Sequence, residues 1–473
     1  MLFSKFHKLN ASQAMLDFVD VDNMEDTAVY VDPFAIEIAS DPWSEQCAIT
    51  LRVFFQEVLD ALRVGDDNRA LFLVGQLGEP RETFLGVSSG EPDGKGVGRT
   101  QSQQLLVSIR NSHAFKTGQL SDLSEMALFV DGVGRDKISD LTTNIIRQHL
   151  LVYTELQCRL NNILMYDYSG PPVWNSHELR WEAKTVKLPR IENSPVLLVP
   201  KWIVRRQMSL DYSEFYNKQI TDFLIAEHLD ARSSLVTLVK GKSKVFKGDV
   251  REQHPKSKSM ISKIVLEHPE LLQVYRKIAA ERGELHRFKD DEVSNFQICR
   301  LLKEELSDIP SGAAAADRYH QLVQGALTVL FYPQLILPRK EWEINGGRKR
   351  IDIVFTNTAK EGFFHQRMVA NNTAATMLVV ECKNYSDDIN NPEVDQLLGR
   401  FDHNRGKLGF VTFRKVKKEE GLLERLRDLA KVGNGYILPI SDTILAQWLE
   451  LKMEGRDDKI QESLHSLFRD LIS

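Results

Sequence analysis

The stretch MLVVECKNYSDD, residues 377–388, runs four apolar residues into a glutamate, a cysteine and a lysine. A short apolar run of this kind reads as a buried strand. Side chains alternate along a strand, so Glu381 and Lys383 share one face and Cys382 takes the other. A buried strand that ends on two opposite charges leaves two readings open. The pair is either an exposed strand-end salt bridge or part of a site.

The flanking elements decide the fold around it. A helix is predicted over roughly 313–331, then a strand in QLILPRKEWEI ending at 344, a turn at NGG and a second strand in RKRIDIVF, residues 348–355. A polar insertion rich in Asn and Thr leads to the strand at 376–383, and NPEVDQLLGRFDHN, residues 391–404, reads as the next helix. The strand KLGFVTF (407–413), a helix near 419–430, the strand GYILPI (435–440) and a helix from Asp442 complete the series. The order is αβββαβ with an added αβα tail, a compact α/β domain over 311–473.

Asp352 sits inside the second strand between Ile351 and Ile353. An acid in so apolar a strand needs a partner. If the second and third strands pair antiparallel, a single register puts Asp352 beside Glu381. Two adjacent carboxylates repel each other, and a divalent cation between them lets both stay ionised. Oxygen ligands suit Mg²⁺ or Mn²⁺. Lys383 at the edge would orient a water or neutralise charge on a phosphate.

Asp352 followed by Glu381-Cys382-Lys383 within this element order resembles the PD-(D/E)xK nuclease superfamily, with its restriction-endonuclease-like fold. RIDIVF and VVECKNY, with a Gln-bearing helix afterwards, look most like Mrr-type and related prokaryotic restriction and phage-defence nucleases. The resemblance implies that Asp352 and Glu381 hold the metal, Lys383 positions water, and Gln396 supports the site or touches the backbone. The expected activity is Mg²⁺-dependent hydrolysis of DNA phosphodiester bonds in defence against foreign DNA. A DNA repair nuclease would use the same residues, and a nuclease fold reduced to nucleic-acid binding is the alternative from another class. Many relatives carry a glutamate on the helix before the first strand. In ADRYHQLVQGAL, residues 316–327, His320 stands there instead, with Asp317 one turn earlier. DNA would be held by basic clusters: Arg339, Lys340, Arg348, Lys349 and Arg350 around the first hairpin, and Arg414, Lys415, Lys417 and Lys418 after the fourth strand.

The whole chain carries a net charge of −5 over 473 residues, so any nucleic-acid contact must rest on such local patches. Cys47, Cys158, Cys299 and Cys382 lack the spacing of a disulfide framework or a zinc site. The N-terminus shows no signal-peptide core and no stretch reaches the length of a membrane span, so a cytoplasmic protein without membrane contact is expected. A homo-oligomer is expected because nucleases commonly dimerise to cut both strands.

Residues 1–235 read as a larger mixed α/β region for recognition, regulation or oligomerisation. Its expected strands are ALFLVG (70–75), MALFVDG (126–132) and VLLVPKWIV (196–204), and a helix capped by Ser139 is expected over 139–160. SSGEPDGKGVG (88–98) lacks the spacing of a phosphate-binding loop, and DFVDVDNMED (17–26) reads as surface turns. FVDGVGRDKISD (129–140) reads as a plain β-to-α connection, and His113, His177, His228 and His254 show no ligand-like pairing. Residues 236–310 read as a basic and helical connector. Within it, KGKSKVFKGDVREQHPKSKSMISK (240–263) is either a solvated loop or a nucleic-acid contact surface.

Overall fold

The computed structural model describes residues 1–9, 11–86, 99–239, 242–282, 295–344, 349–384, 391–414 and 419–473. The protein is mixed α/β and divides into two compact units. One holds Met1, Val21–Glu155 and Met165–Lys289; the other holds Leu2–Asp20, Leu156–Leu164 and Asp290–Ser473. The stretch expected as a connector is thus shared out, its helix Asn295–Asp308 belonging to the C-terminal unit.

That unit is built on one sheet. In chain order it runs α1 (Asn295–Asp308), α2 (Ala316–Phe331), β1 (Leu335–Ile344), β2 (Lys349–Asn357), α3 (Gly362–Val369), β3 (Met377–Lys383), α4 (Asn391–Leu398), β4 (Leu408–Phe413), α5 (Glu419–Lys431), β5 (Tyr436–Ser441), α6 (Asp442–Met453) and α7 (Asp457–Ile472). The five strands lie in sequence order. β1–β2 and β2–β3 pair antiparallel, whereas β3–β4 and β4–β5 pair parallel. The parallel strands are the apolar ones: every residue of β4 is buried, as expected where helices cover both faces.

Helix α2 shows why this packing holds. Tyr319, Leu322, Val323, Ala326, Leu327 and Leu330 recur three and four apart, and all are buried. Each large apolar side chain so buried contributes about 1.5–3 kcal/mol. The polar insertion expected between β2 and β3 contains the helix α3, whose Phe363 and Phe364 are buried and wedge it into the same core.

The N-terminal unit departs further from expectation. ALFLVG lies in a helix, Asp67–Val74, and MALF forms the helix Met126–Phe129. Of VLLVPKWIV, only Val204 pairs in a strand, with Val31. The reason is physical: a four-to-eight-residue apolar run suits a buried helix turn as well as a strand, and periodicity cannot separate them. Ser139 caps nothing. The helix begins at Arg135, and the Ser139 hydroxyl accepts the backbone N–H of Val31 at 2.9 Å from within it. The expected strand-to-helix connection around Asp131 is therefore a helix-to-helix one. In the described part of the basic stretch, Lys242–Lys244 pairs with Thr237–Val239, and helices Lys247–Gln253 and Lys258–Glu267 follow.

DFVDVDNMED is not all surface. Asp17 is buried and accepts the N–H of Leu337, while Asp20 accepts both the N–H and the hydroxyl of Ser4. The glycine-rich stretch 88–98 lies outside the described residues. Among the described residues, no helix is long and apolar enough to cross a membrane.

Candidate functional site

The antiparallel ladder between β2 and β3 ends at the pair Ile353–Val380. Continuing its register by one residue sets Asp352 opposite Glu381, at the point where the two strands part. Because backbone pairing stops there, the Asp352 carboxylate can turn across the end of the ladder, and its Oδ2 accepts the backbone N–H of Cys382 at 2.8 Å.

Glu381 is 2 % exposed. Its Oε1 accepts from Lys383 Nζ at 2.9 Å, and the buried Oε2 has no hydrogen-bond partner. An exposed strand-end salt bridge is therefore excluded. Burial raises the Glu381 pKa, the neighbouring Asp352 charge raises it further, and Lys383 and Arg400 pull it back. A carboxylate this deep with one oxygen unsatisfied is a rare arrangement, and it calls for a ligand or a functional account.

His320 reaches the same point from α2. Its Nε2 stands 3.9 Å from Asp352 Oδ2, and its buried Nδ1 has no partner. Two contacts fix the helix there. The Tyr319 hydroxyl donates to Asp442 at 3.0 Å, and Asn384 at the end of β3 donates to the carbonyls of Pro310 and Gly312, just before α2. His320, Asp352 and Cys382 each offer a ligand atom, and these atoms all lie within 4.8 Å of one another.

Other expected residues fall elsewhere. Asp317 is largely exposed and bound to Lys340 Nζ at 2.9 Å. The hydrogen bond and charge of Lys340 hold its carboxyl below the ordinary value. Lys340 is thus paired within the fold. Arg414 is committed likewise, to Asp442 at 2.7 Å and the Leu306 carbonyl. Arg339 lies over the Trp342 ring, 5.2 Å from its centroid. Gln396 is exposed on α4, whose Val394 and Leu397 face the core. Arg400, one turn further on, is the residue whose charge bears on Glu381; it is 5 % exposed and its Nε has no partner. Arg350 is exposed, 3.7 Å from Glu341. Arg348, Lys415, Lys417, Lys418 and the side chain of Lys349 lie outside the described residues.

Sequence reasoning missed Asn384 and Arg400. Asn384 directly follows the Glu-Cys-Lys run, which was a signal available to be used. Arg400 had none, since its turn after α4 is what brings it back. His228 and His254, expected to be unrelated, lie with their Nε2 atoms 3.1 Å apart. Burial and the neighbouring His228 lower the pKa of His254.

The family described as a domain of unknown function (DUF8370) matches residues 8–211. No curated protein matches the chain. No solved structure matches it either. The matched residues stop short of β2 and β3, which carry the site.

Proposed function

We propose that the C-terminal unit is a metal-dependent endonuclease of the PD-(D/E)xK type with a restriction-endonuclease-like fold, hydrolysing DNA phosphodiester bonds, and that the N-terminal region controls or targets the cut. The observation that carries this reading is Glu381: nearly fully buried, one oxygen held by Lys383, the other without a partner, and a second carboxylate beside it. The order of strands in the sheet agrees with that fold.

The residues present fit a divalent ion such as Mg²⁺ or Mn²⁺. Glu381 Oε2 and the Asp352 carboxylate would hold it, because hard cations prefer such oxygens. Bound there, the ion supplies Lewis-acid stabilisation of charge on the phosphate and lowers the pKa of a coordinated water.

The remaining work falls to the chain itself. The N–H of Cys382 holds one Asp352 oxygen in place, which sets where the other can point. Lys383 is anchored by Glu381, so its ammonium can orient an attacking water without being lost to solvent. The Arg400 guanidinium beside Glu381 adds positive charge against a phosphodiester anion. The likeness of RIDIVF and VVECKNY to prokaryotic restriction nucleases supports a defence role in the cytoplasm.

The test is cleavage of plasmid, linear and single-stranded DNA by the full chain with Mg²⁺, Mn²⁺ or EDTA, beside Glu381→Ala. Metal-dependent cutting by the wild type that vanishes in the variant is the expected result. Equal cutting by both, or cutting that survives EDTA, would sink the proposal.

A further inference from the structure

Asp352 faces two different sets of neighbours. On one side is Glu381, an oxygen ligand; on the other are the imidazole of His320 and the thiol of Cys382. We infer that His320, Asp352 and Cys382 form a second ligand set, which takes a thiophilic divalent ion such as Zn²⁺ or Co²⁺ and thereby blocks the Mg²⁺ site that shares Asp352. The block rests on the function proposed above; the ion site stands without it.

The geometry comes first. Zinc bonds of about 2.0–2.3 Å place tetrahedral ligand atoms roughly 3.3–3.8 Å from one another. The His320 Nε2 to Asp352 Oδ2 distance is 3.9 Å, and all three ligand atoms lie within 4.8 Å. Side-chain movements on the order of an ångström therefore close the set. His320 is 15 % exposed, which leaves a path for an ion from solvent. No hydrogen bond on Nδ1 commits the ring to a tautomer, so Nε2 is free to turn its lone pair toward Asp352.

A second observation points to a cation independently. The Oε2 of Glu381, nine-tenths buried and unpartnered, belongs to the carboxylate next to Asp352.

The chemistry then selects the ion. An oxygen, a nitrogen and a sulfur together favour Zn²⁺ or Co²⁺ over Mg²⁺. Mg²⁺ does not displace a thiol proton, whereas a coordinated Zn²⁺ does so outright. On binding, the sulfur–proton bond is exchanged for a sulfur–metal bond and the proton leaves to solvent. No oxidation state changes. Both sets draw on the Asp352 carboxylate, so a divalent ion in one set repels a divalent ion in the other at close range.

The experiment is titration of the full chain with Co²⁺, followed by absorption. The expected spectrum has visible bands of tetrahedral cobalt and a thiolate-to-cobalt charge-transfer band in the near ultraviolet, both lost on adding Zn²⁺. Cys382→Ser should lose the charge-transfer band, and His320→Ala should weaken cobalt binding by more than about tenfold. Thermal unfolding of each variant confirms that it is folded. Cobalt bound without a charge-transfer band, or a band that persists in Cys382→Ser because another thiol supplies it, would overturn the site. Zn²⁺ at the concentration that displaces Co²⁺ should suppress Mg²⁺-supported cleavage by the wild type; cleavage that continues would overturn the block alone. If the wild type cleaves nothing, the nuclease reading fails, while the cobalt spectrum still decides the ion site.

Discussion

Each unit buries a carboxylate against a cation, yet the two burials differ in kind. In the N-terminal unit, Glu82 and Arg147 are both almost fully inaccessible and pair with each other. In the C-terminal unit, Glu381 shares one oxygen with Lys383 and keeps the other unsatisfied at the end of a parting pair of strands. The Glu82–Arg147 pair is held in place by the cost of breaking it, while Arg147 Nε and Nη2 have no partner of their own. A half-satisfied carboxylate beside a second acid costs stability, and it persists where function uses it.

The sharpest test of that contrast is activity. Glu381→Ala should lower metal-dependent DNA cleavage on the order of a thousandfold. Its thermal unfolding midpoint should fall less than that of a Glu82 variant, because the Lys383 left behind is nearer solvent than Arg147. A midpoint that falls as far as that of a Glu82 variant would make Glu381 a structural residue and end the contrast.

The next largest effect lies in the N-terminal unit. Glu82→Ala leaves the Arg147 guanidinium buried without its partner and should cost about 3–5 kcal/mol in urea denaturation. A loss under about 1 kcal/mol would show that water reaches the pair.

Asp140 provides a pH test in the same unit. Burial, with the charges of Glu79, Asp136 and Asp26, raises its pKa to about 7. A raised carboxylate pKa contributes stability that is fully present below the unfolded value near 3.8 and is lost as pH rises through about 7. Stability should therefore fall between pH 4 and pH 8 by about 2 kcal/mol, allowing for solvent screening. Asp140→Asn should flatten that slope. An unchanged slope would place the pH dependence in other groups.

The smallest effects are expected from charged or polar residues that are already exposed. Gln396→Ala should change stability by under about 0.5 kcal/mol, and both it and Asp317→Ala should change cleavage by less than about twofold. A large loss of cleavage from Asp317→Ala would restore it to the site in place of its present bond to Lys340.

The C-terminal unit was the more legible. Its long strands carry extended apolar runs bounded by turns, and the order of elements followed from them; α3 was hidden in a segment rich in Asn and Thr. The N-terminal runs ALFLVG and MALF are as apolar and short enough that helix and strand compete evenly and the surrounding core decides. At the site, Asp352, Glu381 and Lys383 came from strand alternation and one register. Which way Gln396 faces was not legible, because a helix position does not reveal its rotation about the axis until packing fixes it. Val394 and Leu397 took the core side and left Gln396 outside. Of the basic clusters, Lys340 and Arg414 pair with carboxylates within the fold, which their sequence positions did not show.

The order of residues along the chain was enough to establish the apolar strands, their alternation, and two acids and a lysine spaced to meet on neighbouring strands. These are local properties, governed by a two-residue repeat and by solvent exclusion. That Glu381 Oε2 is left without a partner, that Arg400 turns back toward it, and that His320, Asp352 and Cys382 converge are long-range outcomes. The last three lie about thirty residues apart on a helix and two strands, with no spacing rule to join them. Burial of the α2 face and the parting of β2 from β3 bring them together, and both are consequences of packing.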